Sequence, residues 1–137
     1  MSRQFVVQLQ NRPGELAHLA RALGTRGIDI RQIVSAGAGP SGCAFLTTSD
    51  DTATREVLRG LGHLYMEGDT VLVDVEDRPG GLADMLEQFG AAGVNILGTM
   101  VVGRHPDTVQ MIFCVDDVAG AQRVLGDAAH EKVGVSR

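Results

Sequence analysis

The chain has no tryptophan, one tyrosine (Tyr65) and four phenylalanines. Proteins that grip single-stranded nucleic acid stack bases on aromatic rings, and this sequence has too few rings for such a platform. Cysteine is equally scarce. Cys43 and Cys114 cannot form a disulfide scaffold, and each falls in an apolar, β-like run where a free thiol acts as a small hydrophobe. Neither has a basic neighbour in sequence to activate it. Positive charge is short as well. Net charge is −5, and the deficit lies in the second half: seven Arg balance seven acids up to Asp69, whereas five basic residues face ten acids from Thr70 onward. A protein built to hold phosphate backbones shows the opposite sign, so nucleic acid is not an expected partner. No apolar run approaches the ~20 residues of a membrane span, and Met1 to Phe5 does not open a signal peptide. The expectation is a cytoplasmic chain with no membrane partner.

What is present is globular: 44% apolar and 21% charged residues in 137, enough for one ordinary domain or two very small ones. The sequence then repeats itself. Asn11-Arg12-Pro13-Gly14 returns as Asp77-Arg78-Pro79-Gly80, and the same offset of 66 pairs Leu16 with Leu82, Gly24 with Gly90, Gly27 with Gly93 and Ile30 with Ile96. Eight of the twenty positions from 11 to 30 are identical to their counterparts, where unrelated sequences would match at roughly one or two. Farther on, without a gap, Asp50-Asp51 falls on Asp116-Asp117. The chain reads as two copies of one unit, 1–68 and 69–137.

Within each copy the periodicity alternates. Phe5 to Leu9 and Val71 to Val75 read as strands. Pro13 and Pro79 suit the first helical position, where a missing N–H costs nothing. Leu16, Leu19, Ala20 and Leu23, like Leu82, Met85, Leu86 and Phe89, recur at the spacing of an amphipathic helix. Gly27 and Gly93 stand where a left-handed stop is wanted. Second strands follow from Ile28 to Ser35 and Val94 to Val102, and third strands from Cys43 to Thr48 and Thr108 to Val115. A second helix begins near Asp51 or Asp117. Short last strands run from His63 to Met66 and from Lys132 to Val135. The order βαββαβ, twice, is the α+β, ferredoxin-like motif: antiparallel sheets with the helices on one face.

Several motifs carry no chemistry. Gly37-Ala38-Gly39-Pro40-Ser41-Gly42 spells a dinucleotide pattern, yet a β-like run follows it instead of a helix, so it reads as a hairpin loop. His18, His63, His105 and His130 lack metal-ligand spacing and read as surface residues. Asp50-Asp51 and Asp116-Asp117 precede helices and read as caps. No nucleophile–base constellation can be assembled, so the chain is expected to be no enzyme and to need no metal or cofactor.

The Arg-Pro-Gly turn is left, and the residues alone leave it open. It can be a tight helix entry inherited twice. It can also be a ligand site, because a helix N-terminus offers unsatisfied N–H groups and partial positive charge to a carboxylate. Asp77-Arg78-Pro79-Gly80-Gly81-Leu82, with Leu86, Phe89 and then Gly93-Val94-Asn95-Ile96, resembles the ACT domain. Asn11-Arg12-Pro13-Gly14-Glu15-Leu16 and Gly27-Ile28-Asp29-Ile30 resemble the same signature. The resemblance covers nearly the whole chain and implies a stand-alone tandem of regulatory, amino-acid-binding modules. It implies a ligand where two modules meet side by side, held by Asn11, Arg12, Pro13, Gly14, Glu15 and Leu16 or Asp77, Arg78, Pro79, Gly80, Gly81 and Leu82, with Asp29-Ile30 and Asn95-Ile96 from second strands. Asp29 departs from the usual Asn, and Glu15 puts a carboxylate where Gly81 leaves space, so the second turn is expected to bind more strongly. The resemblance implies a free amino acid as ligand. A homodimer with a second copy of the chain is expected from the edge segments Ile33 to Ala36 and Thr99 to Val102, which carry few charges. The competing reading is a regulatory subunit or oligomerisation module that acts on a partner enzyme and binds no metabolite.

Overall fold

A computed structural model describes residues 3–126. They fall into two compact units that divide between Glu67 and Gly68. In the first unit β1 (Gln4–Gln10), α1 (Glu15–Thr25), β2 (Ile30–Ala38), β3 (Ser41–Thr48) and α2 (Asp51–Leu61) precede β4 (Tyr65–Glu76). Strand β3 lies between β1 and β2, antiparallel to both. The Gln8 N–H donates to Leu64 O at 2.9 Å, where the chain enters β4. Period-two alternation on β1 sends Phe5, Val7 and Leu9 into a core with Ala44, Leu46, Leu19, Leu23, Val57 and Leu58.

The second unit holds most of β4, then α3 (Gly81–Ala91), β5 (Ile96–Arg104), β6 (Thr108–Val115) and α4 (Val118–Leu125). Here β6 lies between β4 and β5, again antiparallel to both. Val71, Val73, Val75, Met111, Phe113, Val115, Phe89, Ala121 and Leu125 make its core. The rings of Phe89 and Phe113 sit 5.4 Å apart and tilted, within the range aromatic pairs prefer. Gly27 and Gly93 stop their helices at φ 70° and 73°, as the sequence suggests.

Four details differ from the sequence reading. Pro13 and Pro79 do not take the first helical position. Gly14 and Gly80 are left-handed N-caps that cannot continue a helix, so each Pro stands one residue before the cap. Nor do Leu16 and Leu82 join the buried stripe: they remain 38% and 41% exposed at the helix starts. The segments read as a last strand from His63 and a first strand from Val71 are one strand, Tyr65–Glu76. Gly68 makes no turn. It has no positive φ, and a Cβ there would lie 2.9 Å from Cys114 Sγ and from Val115 O, so a close approach requires the glycine.

The fourth difference is in the repeat. Strands β1 and β2 recur at an offset of 66, but β3 recurs as β6 at 67. The second hairpin has three loop residues, His105 to Asp107, against Gly39-Pro40 in the first. Asp50 therefore corresponds to Asp117, not Asp116: their carboxylates accept the N–H groups of Ala53 (3.0 Å) and Gly120 (2.9 Å). Ser49 Oγ and Asp116 Oδ1 accept the N–H groups of Asp29 and Asn95, each at 2.9 Å. The expected last strand from Lys132 to Val135, and His130, lie outside the described residues.

Candidate functional site

Both units pass from strand to helix through Arg-Pro-Gly, and the backbones nearly superimpose in torsion. Gly14 has φ 88° and ψ −12°, Gly80 φ 84° and ψ −10°. Only glycine adopts this left-handed region without steric cost. With no side chain at the cap, α1 and α3 start without a side-chain cap hydrogen bond, whereas α2 and α4 are capped by aspartate. The first N–H of each helix, on Glu15 and on Gly81, donates to the carbonyl of Arg12 or Arg78 (3.4 and 3.0 Å), and no side chain caps the N–H groups that follow.

The side chains around the two turns differ. In the first unit Asn11 ties the turn to the β2–β3 hairpin: its Nδ2 donates to Gly39 O at 3.0 Å and its N–H to Pro40 O at 3.1 Å. A Cβ on Gly37 would lie 2.5 Å from Asn11 Oδ1, so Gly37 makes room for that amide. Arg12 Nε donates to Glu15 Oε1 at 2.5 Å, one cation on one anion. The Arg12 side chain is 63% exposed and Glu15 only 16%. The pair borders two cavities. One, of about 450 Å³, is lined by Gln8, Gln10, Ser41, Leu61, His63 and Leu64 with Leu9 and Gly62. The other, of about 200 Å³, lies toward Asn11, Leu16, Ser35, Gly37, Gly42 and Cys43.

In the second unit the Asp77 N–H likewise donates to Asp107 O, at 3.0 Å, but its side chain ties the hairpin through an exposed ion pair, Arg104 Nη1 to Asp77 Oδ2 at 3.3 Å. Arg78 holds two carboxylates at once, Glu76 at 2.5 Å and Asp84 at 2.6 Å. Its hydrogen bonds to Asp84 and then to Glu76 raise its pKa above the ordinary arginine value. A cavity of about 230 Å³ here is lined by Asp74, Glu76, Arg78, Asp84, Met85 and Gln88 with Val75 and Gly81. One guanidinium therefore holds two carboxylates, and Asp74 lines the same cavity. The space expected at Gly81 does not exist: the residue is buried, and a Cβ would collide with the carbonyl oxygen of Glu76. This glycine serves a close backbone approach, so its missing side chain opens no space of its own. That geometry and the surplus of negative charge remove the ground on which a stronger second turn was expected.

The sequence-predicted residues are thus only partly assembled. Asn11, Arg12, Glu15 and Leu16 meet at one cavity; Arg78 and Gly81 meet at another. Pro13, Gly14, Pro79 and Gly80 are exposed parts of the turns, and Leu82 is an exposed helix-start residue. Asp29-Ile30 and Asn95-Ile96 lie beyond the far ends of α1 and α3, about 16 Å along an 11-residue helix from the turns. Ile30 and Ile96 are half-buried against the cores. Sequence reasoning missed Gln8, Gln10, Ser41 and His63. His63 is half-buried at a cavity wall, while His18 and His105 are exposed as expected. Cys43 is exposed and Cys114 buried. Among the described residues no helix is long and apolar enough to cross a membrane.

With this geometry in hand, the chain can be set beside known proteins. No family model and no curated protein matches its sequence. Solved structures do match. The described architecture is a ferredoxin-type α+β fold, and these structures share it. One similar structure is the regulatory subunit of aspartate kinase from Thermus flavus, at 21% identity and TM-score 0.65, covering 93% of this chain and 92% of that one. Another is a protein from Bacteroides thetaiotaomicron, at 20% identity and TM-score 0.66, covering 92% and 87%. A third is aspartate kinase from Synechocystis, where 93% of this chain matches 25% of that one at 19% identity and TM-score 0.62.

Proposed function

We propose that the chain is a non-catalytic regulatory protein, built as two ACT-like repeats (1–68 and 69–137), that binds a free amino acid through the loop between β1 and α1. The observation that carries the reading is the glycine-capped helix entry at Gly14, whose first-turn N–H groups have no side-chain cap, beside a cavity of about 450 Å³. That volume suits a small-molecule site, and a helix N-terminus suits a carboxylate. Binding acts on assembly or on contacts with a partner, and the active form is a homodimer. Outer strand β2 supports this, with Ile33 and Val34 exposed at 42% and 46% beside unpaired backbone groups.

The second reading, a subunit that acts on a partner enzyme without binding a metabolite, draws on the likeness to a regulatory subunit of aspartate kinase. A thermal-shift screen of the twenty free amino acids at millimolar concentration separates the two. A rise in melting temperature with at least one supports the first reading; none with any supports the second.

A further inference from the structure

Resting on the amino-acid reading, we infer that Arg12 and Glu15 form a clamp for a zwitterion, and that of the two Arg-Pro-Gly turns the first can grip both charged ends of an α-amino acid. The two side chains hold opposite charges three residues apart on one turn and pair with each other at 2.5 Å. An α-amino acid carries its carboxylate and ammonium on one carbon, about an ion pair's reach apart, in the same complementary order. It can replace the internal pair with two external ones, the guanidinium taking the carboxylate and Glu15 taking the ammonium. Charge stays balanced throughout.

The exchange costs little, because an exposed ion pair contributes little to stability. It is also asymmetric in a useful way. Glu15 is sheltered at the cavity edge, whereas Arg12 is largely in solvent and free to swing aside and close over a ligand. Planar guanidinium groups favour bidentate contact with carboxylates, which an arginine gains by exchanging one Glu15 oxygen for two ligand oxygens. The ligand's side chain then lies along Gln8, Ser41 and His63, which favours hydrogen-bonding side chains over purely aliphatic ones.

The second turn cannot make this exchange. Arg78 is already held by Glu76 and Asp84, and an incoming carboxylate would have to displace both and remain beside them. Position 81, the counterpart of Glu15, has no side chain and no space for one.

The test uses the full chain and its Arg12→Gln and Glu15→Gln variants, titrated calorimetrically with each free amino acid that raises the melting temperature. The α-amide and N-acetyl forms of those amino acids serve as probes that each lack one charge. We expect each variant to weaken binding at least tenfold, and each derivative to bind the unaltered chain at least tenfold more weakly than its parent. The derivative arm needs no variant to fold. If an amino acid binds the unaltered chain and both variants within twofold, or if either derivative binds as well as its parent, the clamp is overturned and the amino-acid reading stands. If no free amino acid binds the unaltered chain, that reading itself falls, and the clamp with it.

Discussion

The two helix entries share a backbone and differ in chemistry. Gly14 and Gly80 agree within a few degrees in both torsions, yet Arg12 faces one carboxylate and Arg78 faces two, with Asp74 on the same cavity wall. The two turns share what a turn needs sterically, a left-handed residue before a helix. They do not share the charge balance around it. The same motif is thus neutral in one unit and anionic in the other, and a motif's backbone does not by itself carry its binding properties.

Substitutions at matched positions can break or sharpen this contrast. The largest expected effect separates residues 81 and 15. Gly81→Ala forces a Cβ into the Glu76 carbonyl and should destabilise the protein by about 1–3 kcal/mol. Glu15→Ala removes only an ion pair and should cost about 0.5 kcal/mol or less. Urea denaturation of both variants checks this, and equal costs would remove the steric half of the contrast. Next come the cap glycines. Gly14→Ala and Gly80→Ala each place a side chain at positive φ and should each cost about 1–2 kcal/mol. Because the torsions match, the two costs should agree, and a clear inequality would show that the backbones differ in solution.

The aspartate caps test the changed repeat register. Asp50→Ala and Asp117→Ala should each cost about 1 kcal/mol through loss of one N-cap bond. If Asp116→Ala alone weakened α4 as a lost cap does, with Asp117→Ala neutral, the gapless alignment would be right.

The smallest effect is electrostatic. Glu67 accepts two hydrogen bonds from Arg55, at 2.7 and 3.1 Å, and lies 2.8 Å from Arg3. The Arg55 hydrogen bonds, ahead of the opposing effect of burial, hold its carboxyl below the usual range. A depressed folded pKa contributes stability that is fully present above the ordinary carboxylate value and is lost as pH falls through the depressed one. Melting temperature should therefore drop more steeply in acid for the unaltered chain than for Glu67→Gln. Parallel curves would contradict the ion-pair assignment.

Much of the fold was legible because it rests on local signals. The alternation of Phe5, Val7 and Leu9, the aspartates before α2 and α4, and the stop glycines 27 and 93 each announce themselves within a few residues. The rest depended on contacts distant in sequence or invisible in residue type. Gly81 looks like empty space in a sequence, and only the path of the chain shows the Glu76 carbonyl above it. The extra loop residue in the second hairpin was masked because Asp-Asp occurs in both copies, so the shifted pair still aligned. At the site, the turn residues were readable, but the cavity wall was not. Gln8 and Gln10 look like the solvent face of β1, and His63 reads as a surface residue at the start of a short strand, until the folded unit brings them beside Arg12 and Glu15.

The most direct test of the account is the number of amino-acid molecules bound per chain, measured by calorimetry on the unaltered protein and on Arg12→Gln and Arg78→Gln. We predict one per chain, lost with Arg12→Gln and unchanged with Arg78→Gln. Two per chain, or a single site lost with Arg78→Gln and retained with Arg12→Gln, would contradict the claim that the first turn alone is built to bind.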